Sequence, residues 1–270
     1  MKGQATIKNT ALPNQYLHLE ISDKIALVSM DNPPVNALKI AMLNKLDKTI
    51  GVLNKNPKVK VIIITGTKRI FSSGADIKEM SGRKSGKHAR AMSSLGQQVL
   101  LNIENSPKPV IAAINGFCLG GGLELAMSCH IRIASDHSIM GMPEISLGMI
   151  PAFGGSFRLP RMVGKSRAIE MVLSGRKIRS DEALAMGLVD LIVPGETLLA
   201  EARKCANKWT GKSAASMKQV LRSITLGSNS DISSAMEIES ACVEELYDSH
   251  DLREGIFAYL EKRKPDFRDC

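Results

Sequence analysis

Asn115-Gly116-Phe117-Cys118-Leu119-Gly120-Gly121-Gly122-Leu123-Glu124-Leu125-Ala126-Met127 decides how the rest of this chain is read. It reads as the end of a buried strand, a glycine-rich turn and the start of an apolar helix. Consecutive glycines let the backbone take angles closed to other residues and let a ligand approach the main chain without meeting a Cβ. A helix starting there aims free N–H groups, and the positive end of its dipole, at whatever fills the turn. Glu124 is the only charge on the first turns, set among Leu123, Leu125, Ala126 and Met127. A carboxylate in such company is costly to bury unless something pairs with it or uses it. The stretch therefore predicts an anion-stabilising turn with an acid or base beside it.

Working outward, Val110 to Asn115 is the buried strand that leads in, after Pro107 and Pro109. The same order occurs earlier. Val59 to Ile64 is a β-branched run of the kind covered on both faces, and Phe71-Ser72-Ser73-Gly74-Ala75-Asp76-Ile77-Lys78-Glu79-Met80 is its polar, glycine-containing turn. Further upstream lie a strand over 25–30 and a helix from Asn36, with Leu38, Met42, Leu46, Ile50 and Leu53 at helical spacing. Residues 89–104 suit another helix. Residues 81–87 are polar and expected to be mobile. Gly82 to His88 has a superficial likeness to a phosphate loop, but one spacer is missing and His88 stands where Ser or Thr belongs. Downstream, 131–134 and 138–140 read as short strands. Gly141-Met142-Pro143-Glu144 is a turn with a second isolated carboxylate, and 148–155 is rich in glycine and proline. Helices are expected at 166–173 and 180–186, then a strand over 188–193. After Pro194-Gly195 the segments 196–209, 213–225, 231–247 and 251–263 all suit helices, the last opened by a capping box with Asp251 in the cap position. The expected organisation is an α/β core over 1–195 and a helical region over 196–270.

Composition bounds the function classes. The 270 residues are 44% hydrophobic and 23% charged, as in a well-packed globular protein. A net charge of +9 suits a nucleic-acid surface or a polyphosphate small molecule, yet the cations are spread along the chain and aromatic content is only 4%. That scarcity argues against a base-stacking surface. Five cysteines with no C-x-x-C pair read as reduced thiols, and the histidines fall in no recognised ligand spacing, so no metal is expected. The first twenty residues have neither the apolar core of a signal peptide nor the character of a transit peptide, and no apolar run would span a membrane. A cytoplasmic protein, or a matured organellar one, is expected.

Two turns with free N–H groups and two carboxylates in apolar settings suit gripping one carbonyl oxygen while protons move nearby. No G-x-S-x-G elbow or Cys/His pairing offers a nucleophile. The stretches 71–80, 116–126 and Pro143-Glu144-Ile145-Ser146-Leu147-Gly148-Met149-Ile150-Pro151 resemble, in order and spacing, the crotonase superfamily and within it enoyl-CoA hydratase. The similarity runs from about residue 16 to the end. It implies a spiral of ββα units with a C-terminal helical trimerisation region, assembled as trimers or a dimer of trimers. It also implies hydration of a 2-enoyl-CoA thioester, with coenzyme A as part of the substrate and no separate cofactor. By position, the N–H groups of Ala75 and Gly121 would form the oxyanion hole. Glu124 would orient and activate water, and Glu144 would supply the proton to the α-carbon. Asp76, Ile77, Lys78 and Gly120 would line the substrate and CoA site, and Tyr259 and Lys262 would reach the CoA of a neighbouring subunit.

Three positions depart from the family pattern. His130 stands where Asp often follows Cys, so a local hydrogen bond must differ. Phe153 and Phe157 replace smaller or polar residues, and their bulk is expected to reshape the acyl pocket. Alternatives within the superfamily are an enoyl-CoA isomerase, a hydratase of cyclic or dienoyl thioesters, and an RNA-binding homologue. Isomerases commonly manage with one acid, so the pair Glu124 and Glu144 weighs against that option.

Overall fold

The structure, a computed structural model, describes residues 16–82 and 85–269. An antiparallel hairpin of β1 (Tyr16–Ser22) and β2 (Ile25–Asp31) leads into α1 (Ile40–Lys55), which buries Met42, Leu43, Leu46, Ile50 and Leu53 along one stripe. A ββα unit follows three times. The first is β3 (Val61–Gly66), β4 (Ile70–Ser72) and the helices α2 (Ile77–Ser81) and α3 (Gly86–Glu104). The second is β5 (Val110–Ile114), β6 (Phe117–Leu119) and α4 (Gly121–Ser128). The third is β7 (Ile131–Ser135), β8 (Ile139–Gly141), a 3-10 turn over Pro143–Leu147, then α5 (Gly155–Val163) and α6 (Lys165–Ser174). The core closes with β9 (Lys177–Arg179), α7 (Ser180–Ala185) and β10 (Leu191–Val193).

In each unit the first strand joins one sheet and the second joins another. Among the described residues the larger sheet has six strands in the order β1-β2-β3-β5-β7-β10, parallel from β2 onward. The smaller has four, β4-β6-β8-β9, with only β8 and β9 antiparallel. This alternation is the spiral of ββα units that the family resemblance implies. It corrects two readings: Phe71 and Ser72, read as part of a turn, belong to β4, and the motif at 115–127 does not simply end a strand. The chain leaves β5 at Asn115-Gly116 and makes a second short strand, β6, before the helix. Arg69 lies against this exit. Its carbonyl would lie 1.9 Å from a Cβ on Gly116, so the backbone passes there only without a side chain.

The remaining helices are α8 (Leu198–Thr210), α9 (Ala214–Gly227), α10 (Ile232–Tyr247) and α11 (His250–Leu260). α8 lies on the larger sheet, where Leu198, Ala202 and Ala206 join Ile25, Leu27, Val61, Ile63, Ile111 and Ile133. The opposite face carries the main core, including Val28, Ile62, Ile64 and Ala112. A sheet covered on both faces accounts for the unbroken β-branched run in β3.

Three expectations need correcting. The helix foreseen from Asn36 starts at Ile40, because Asn36 takes a left-handed backbone and Leu38 forms an extended bridge to Ala75. The glycine-rich stretch around Gly154 and Gly155 opens a helix, α5, that its glycines and Pro160 conceal. Asp251 is not the cap of α11. Ser249 caps it through Leu252 N–H, while buried Asp251 accepts the N–H groups of Arg268 and Asp269 and so holds the C-terminal tail. The stretch expected to be mobile keeps its helix ends at Ser81 and Gly86, and Arg83 and Lys84 lie outside the described residues. No helix among the described residues is long and apolar enough to cross a membrane.

Candidate active site

The two glycine turns meet. Ala75 is braced by the bridge to Leu38: Leu38 N–H donates to Gly74 O at 2.8 Å and Asp76 N–H to Leu38 O at 3.3 Å. In such a bridge the flanking residues make the bonds, so the N–H of Ala75 itself points the other way, toward the second turn. There Gly121 is the first residue of α4, whose opening N–H groups have no partner within the helix. A Cβ on Gly121 would stand 3.2 Å from the Ala75 nitrogen, and one on Gly74 3.2 Å from the Gly121 nitrogen. The two nitrogens thus adjoin one space. Among the described residues neither donates a hydrogen bond.

Gly120 makes this approach feasible. Its φ of 49° and ψ of −124° lie where L side chains are strained, and a Cβ there would come 2.7 Å from Oε1 of Glu144. Glu144 rides on the 3-10 turn after β8, with its Oε2 buried and unpartnered. Burial pushes its pKa up, against a smaller pull from a backbone hydrogen bond.

Glu124 is 2% exposed, yet it is not orphaned. Its Oε1 accepts the N–H of Phe153 at 2.8 Å and of Gly155 at 2.7 Å. Burial drives its pKa from 4.5 to about 7. The Gly155 N–H opposes this, the Glu144 charge adds to it, and the Phe153 N–H and Arg158 pull it back. Sequence reasoning missed Arg158. Its guanidinium is buried, pairs with Glu104 Oε2 at 2.6 Å and donates to Phe153 O at 3.1 Å. Nothing in its sequence neighbourhood announces this, because it lies on the concealed helix α5. Glu79, also missed, accepts Ile40 N–H at 2.9 Å and ties α2 to the start of α1.

A cavity of about 300 Å³ joins these groups. Ala75, Gly120, Gly121, Glu124 and Glu144 all line it, and so does Ile77. Its walls are mostly apolar with few convergent polar groups, the usual make-up of a small-molecule site. Asp76 does not line it. Its carboxylate caps α2, accepting Lys78 and Glu79 N–H groups, and Lys78 is exposed beside it. Tyr259, 84% exposed, and Lys262 lie at the end of α11 and line none of this cavity.

The three departures resolve differently. His130 Nδ1 accepts Val110 N–H at 2.9 Å and Nε2 lies 3.2 Å from Glu104 O, so the imidazole stitches β5 to the end of α3. Phe153 lines the cavity. Phe157 does not. It lies half-exposed beneath the guanidinium groups of Arg158 and Arg161, because the turn of α5 carries it away from the site. Among the described residues no group of three or more His, Cys, Asp or Glu is gathered as metal ligands would be.

The sequence profile of the enoyl-CoA hydratase/isomerase family matches residues 20–270. A probable enoyl-CoA hydratase of Bacillus subtilis (strain 168) is 40% identical over 253 residues, covering 93% of this chain and 98% of the relative. A short-chain-enoyl-CoA hydratase of Clostridium acetobutylicum is 39% identical over 248 residues, 91% of this chain and 95% of its own. The crystal structure of an enoyl-CoA hydratase from Bacillus anthracis superposes with a TM-score of 0.89 at 32% identity, over 95% of this chain and all of that one. With two facing turns and two carboxylates on one cavity, and with relatives matched along nearly their whole length, the chain belongs to the enoyl-CoA hydratase/isomerase family of the crotonase superfamily and is an enzyme of the hydratase kind.

Proposed function

We propose that this enzyme adds water across the double bond of a 2-enoyl-CoA thioester, using the N–H groups of Ala75 and Gly121 and the carboxyls of Glu124 and Glu144. The observation that carries the reading is the convergence of these four groups on one apolar cavity. The thioester oxygen accepts both N–H groups, as in an oxyanion hole. Ionised Glu124 takes a proton from water while the water oxygen bonds to the β-carbon. The alkene electron pair moves onto the carbonyl oxygen as an enolate, which the two N–H groups stabilise. Protonated Glu144 then gives its proton to the α-carbon. A proton returned from Glu124 to Glu144 through solvent resets the pair. The raised pKa values of both acids support this division, since one must hold a proton that the other can accept near neutrality. Such chemistry needs acids and N–H donors, so no cofactor is required beyond the coenzyme A carried by the substrate.

Gly120, Asp76, Ile77 and Lys78 surround the thioester end and the CoA nucleotide in this reading. Helices α9 to α11 leave the large apolar side chains Val220, Ile224, Ile232, Met236, Phe257 and Leu260 exposed, as helices that dock against another copy do. This supports a trimer, or a dimer of trimers, through residues 196–270, in which Tyr259 and Lys262 of the partner subunit complete the CoA site. A cytoplasmic setting fits the reduced cysteines. The test is incubation with crotonyl-CoA, followed by loss of the conjugated-thioester absorbance. Hydration by the wild type and its loss in E124Q and E144Q are expected. Full activity in both variants would show the mechanism to be wrong.

A further inference from the structure

The cavity is lined by both exposed and buried residues. Ile77, Leu147 and Ile150 line the cavity with more than half their surface exposed, and they mark the open side. Phe153 lines the same cavity at 5% exposure. Its ring fills the space between two glycines. A Cβ on Gly96 of α3 would stand 2.3 Å from one edge of the ring, and a Cβ on Gly121 3.2 Å from the other. Gly96 thus provides the recess in which the ring sits. The backbone that carries the ring is held on both sides. Phe153 N–H donates to Glu124 Oε1 at 2.8 Å, and Phe153 O accepts from Arg158 Nη1 at 3.1 Å.

We infer that Phe153, seated on Gly96, is the end wall of the acyl pocket and restricts the enzyme to short 2-enoyl groups. The inference rests on the hydratase reading of the site. With the thioester oxygen at Gly121 and the alkene beside Glu124, the coenzyme A leaves through the open side. Acyl carbons beyond the alkene then run toward the ring that adjoins both residues. Each further methylene must displace that ring or fold back toward the mouth. Burial of a methylene is worth about 0.8 kcal/mol, roughly fourfold in an equilibrium or rate constant, so a wall in this place discriminates cumulatively with length.

The experiment compares kcat/KM for crotonyl-, hexenoyl-, octenoyl- and decenoyl-CoA in the wild type and in F153A, F153L, G96A and the double variant G96A/F153A. The wild type is expected to fall steeply with length. F153A is expected to raise the ratio of decenoyl to crotonyl activity by on the order of tenfold or more, enough to house two or three further methylenes. F153L should lie between and serves if F153A folds poorly. G96A drives the ring forward and is expected to lower the ratio of hexenoyl to crotonyl activity, while the double variant, lacking the ring, recovers the longer substrates. A wild type with flat chain-length dependence, or Phe153 variants that lose activity equally at every length, overturns the end-wall assignment while leaving the hydratase reading intact. A wild type that hydrates none of the four overturns the hydratase reading, and the assignment with it.

Discussion

Glu124→Gln is expected to make the protein more stable and nearly inactive, with both effects traceable to one buried carboxyl. Burial, reinforced by the nearby Glu144, raises the Glu124 pKa from 4.5 to about 7 against the pull of the Gly155 and Phe153 N–H groups and of Arg158. Unfolded, the carboxyl ionises near 4.5. The stability that belongs to its protonated form is therefore complete below that pH and is lost as pH rises through about 7. A difference of roughly 2.5 pH units corresponds to about 3 kcal/mol, a large share of a typical folding free energy. Gln does not ionise. Its carbonyl can still accept the N–H groups of Phe153 and Gly155, leaving its amide NH₂ toward the cavity. Urea denaturation of wild type and E124Q should give similar stabilities near the acid end of that interval. At about pH 8.5 the variant should lead by about 3 kcal/mol. Hydration of crotonyl-CoA by the variant should fall about 100- to 10,000-fold, the usual contribution of a positioned acid or base. A stability difference that does not change with pH would refute the burial argument, and undiminished activity would refute the catalytic one.

The pH dependence of kcat/KM should show an acid limb with an apparent pKa near 7, belonging to the Glu124–Glu144 pair, and E124Q should lose that limb on its residual activity. Arg158→Met leaves Glu104 without its buried partner and frees the Phe153 carbonyl. A loss of about 3 kcal/mol in urea unfolding is expected, together with an acid limb moved to higher pH, because the Arg158 charge favours ionised Glu124. His130→Phe strands the Val110 N–H and should cost about 1–3 kcal/mol by the same assay. Burial lowers the His130 pKa below 6.5, against a smaller rise from the Glu104 carbonyl, so the wild type holds this contribution above pH 6.5 and loses it as pH falls through the depressed value. The phenylalanine variant should lack that slope. Asp251→Asn removes a charged acceptor from the Arg268 and Asp269 N–H groups, and limited proteolysis should then clip the C-terminal tail faster than in the wild type.

Much of this arrangement is legible in the residues because the spiral repeats a local pattern. The β-branched run of β3 and the apolar run of β5 each lead to a glycine-containing stretch and then a helix, and only the short strands β4 and β6 between them go unread. Glu124 stands out as the one charge in an apolar first turn, and Glu144 as an isolated acid after a proline. What the sequence hides is set by contacts distant along the chain. Leu38 leaves the helical pattern to brace Ala75, 37 positions on. Ser249 displaces Asp251 as a cap because Asp251 is needed by a tail folding back from Arg268. The helix α5 escapes notice because Gly154 and Gly155, at its start, read as part of a glycine- and proline-rich stretch, although Gly155 offers its N–H to Glu124. Arg158 escapes with it. Phe153 and Phe157 look equivalent as bulky departures, yet the turn between them sends one ring into the cavity and the other between two arginines.

Isotope-edited infrared spectroscopy reads directly the proposed grip of Ala75 and Gly121 on the thioester oxygen. Crotonyl-CoA labelled with carbon-13 at the thioester carbonyl, bound to the slowed E144Q enzyme, should show its carbonyl band displaced to lower frequency than in free solution, as two hydrogen bonds polarise the C=O. A stoichiometrically bound ligand whose carbonyl band stays at its solution frequency would contradict the account.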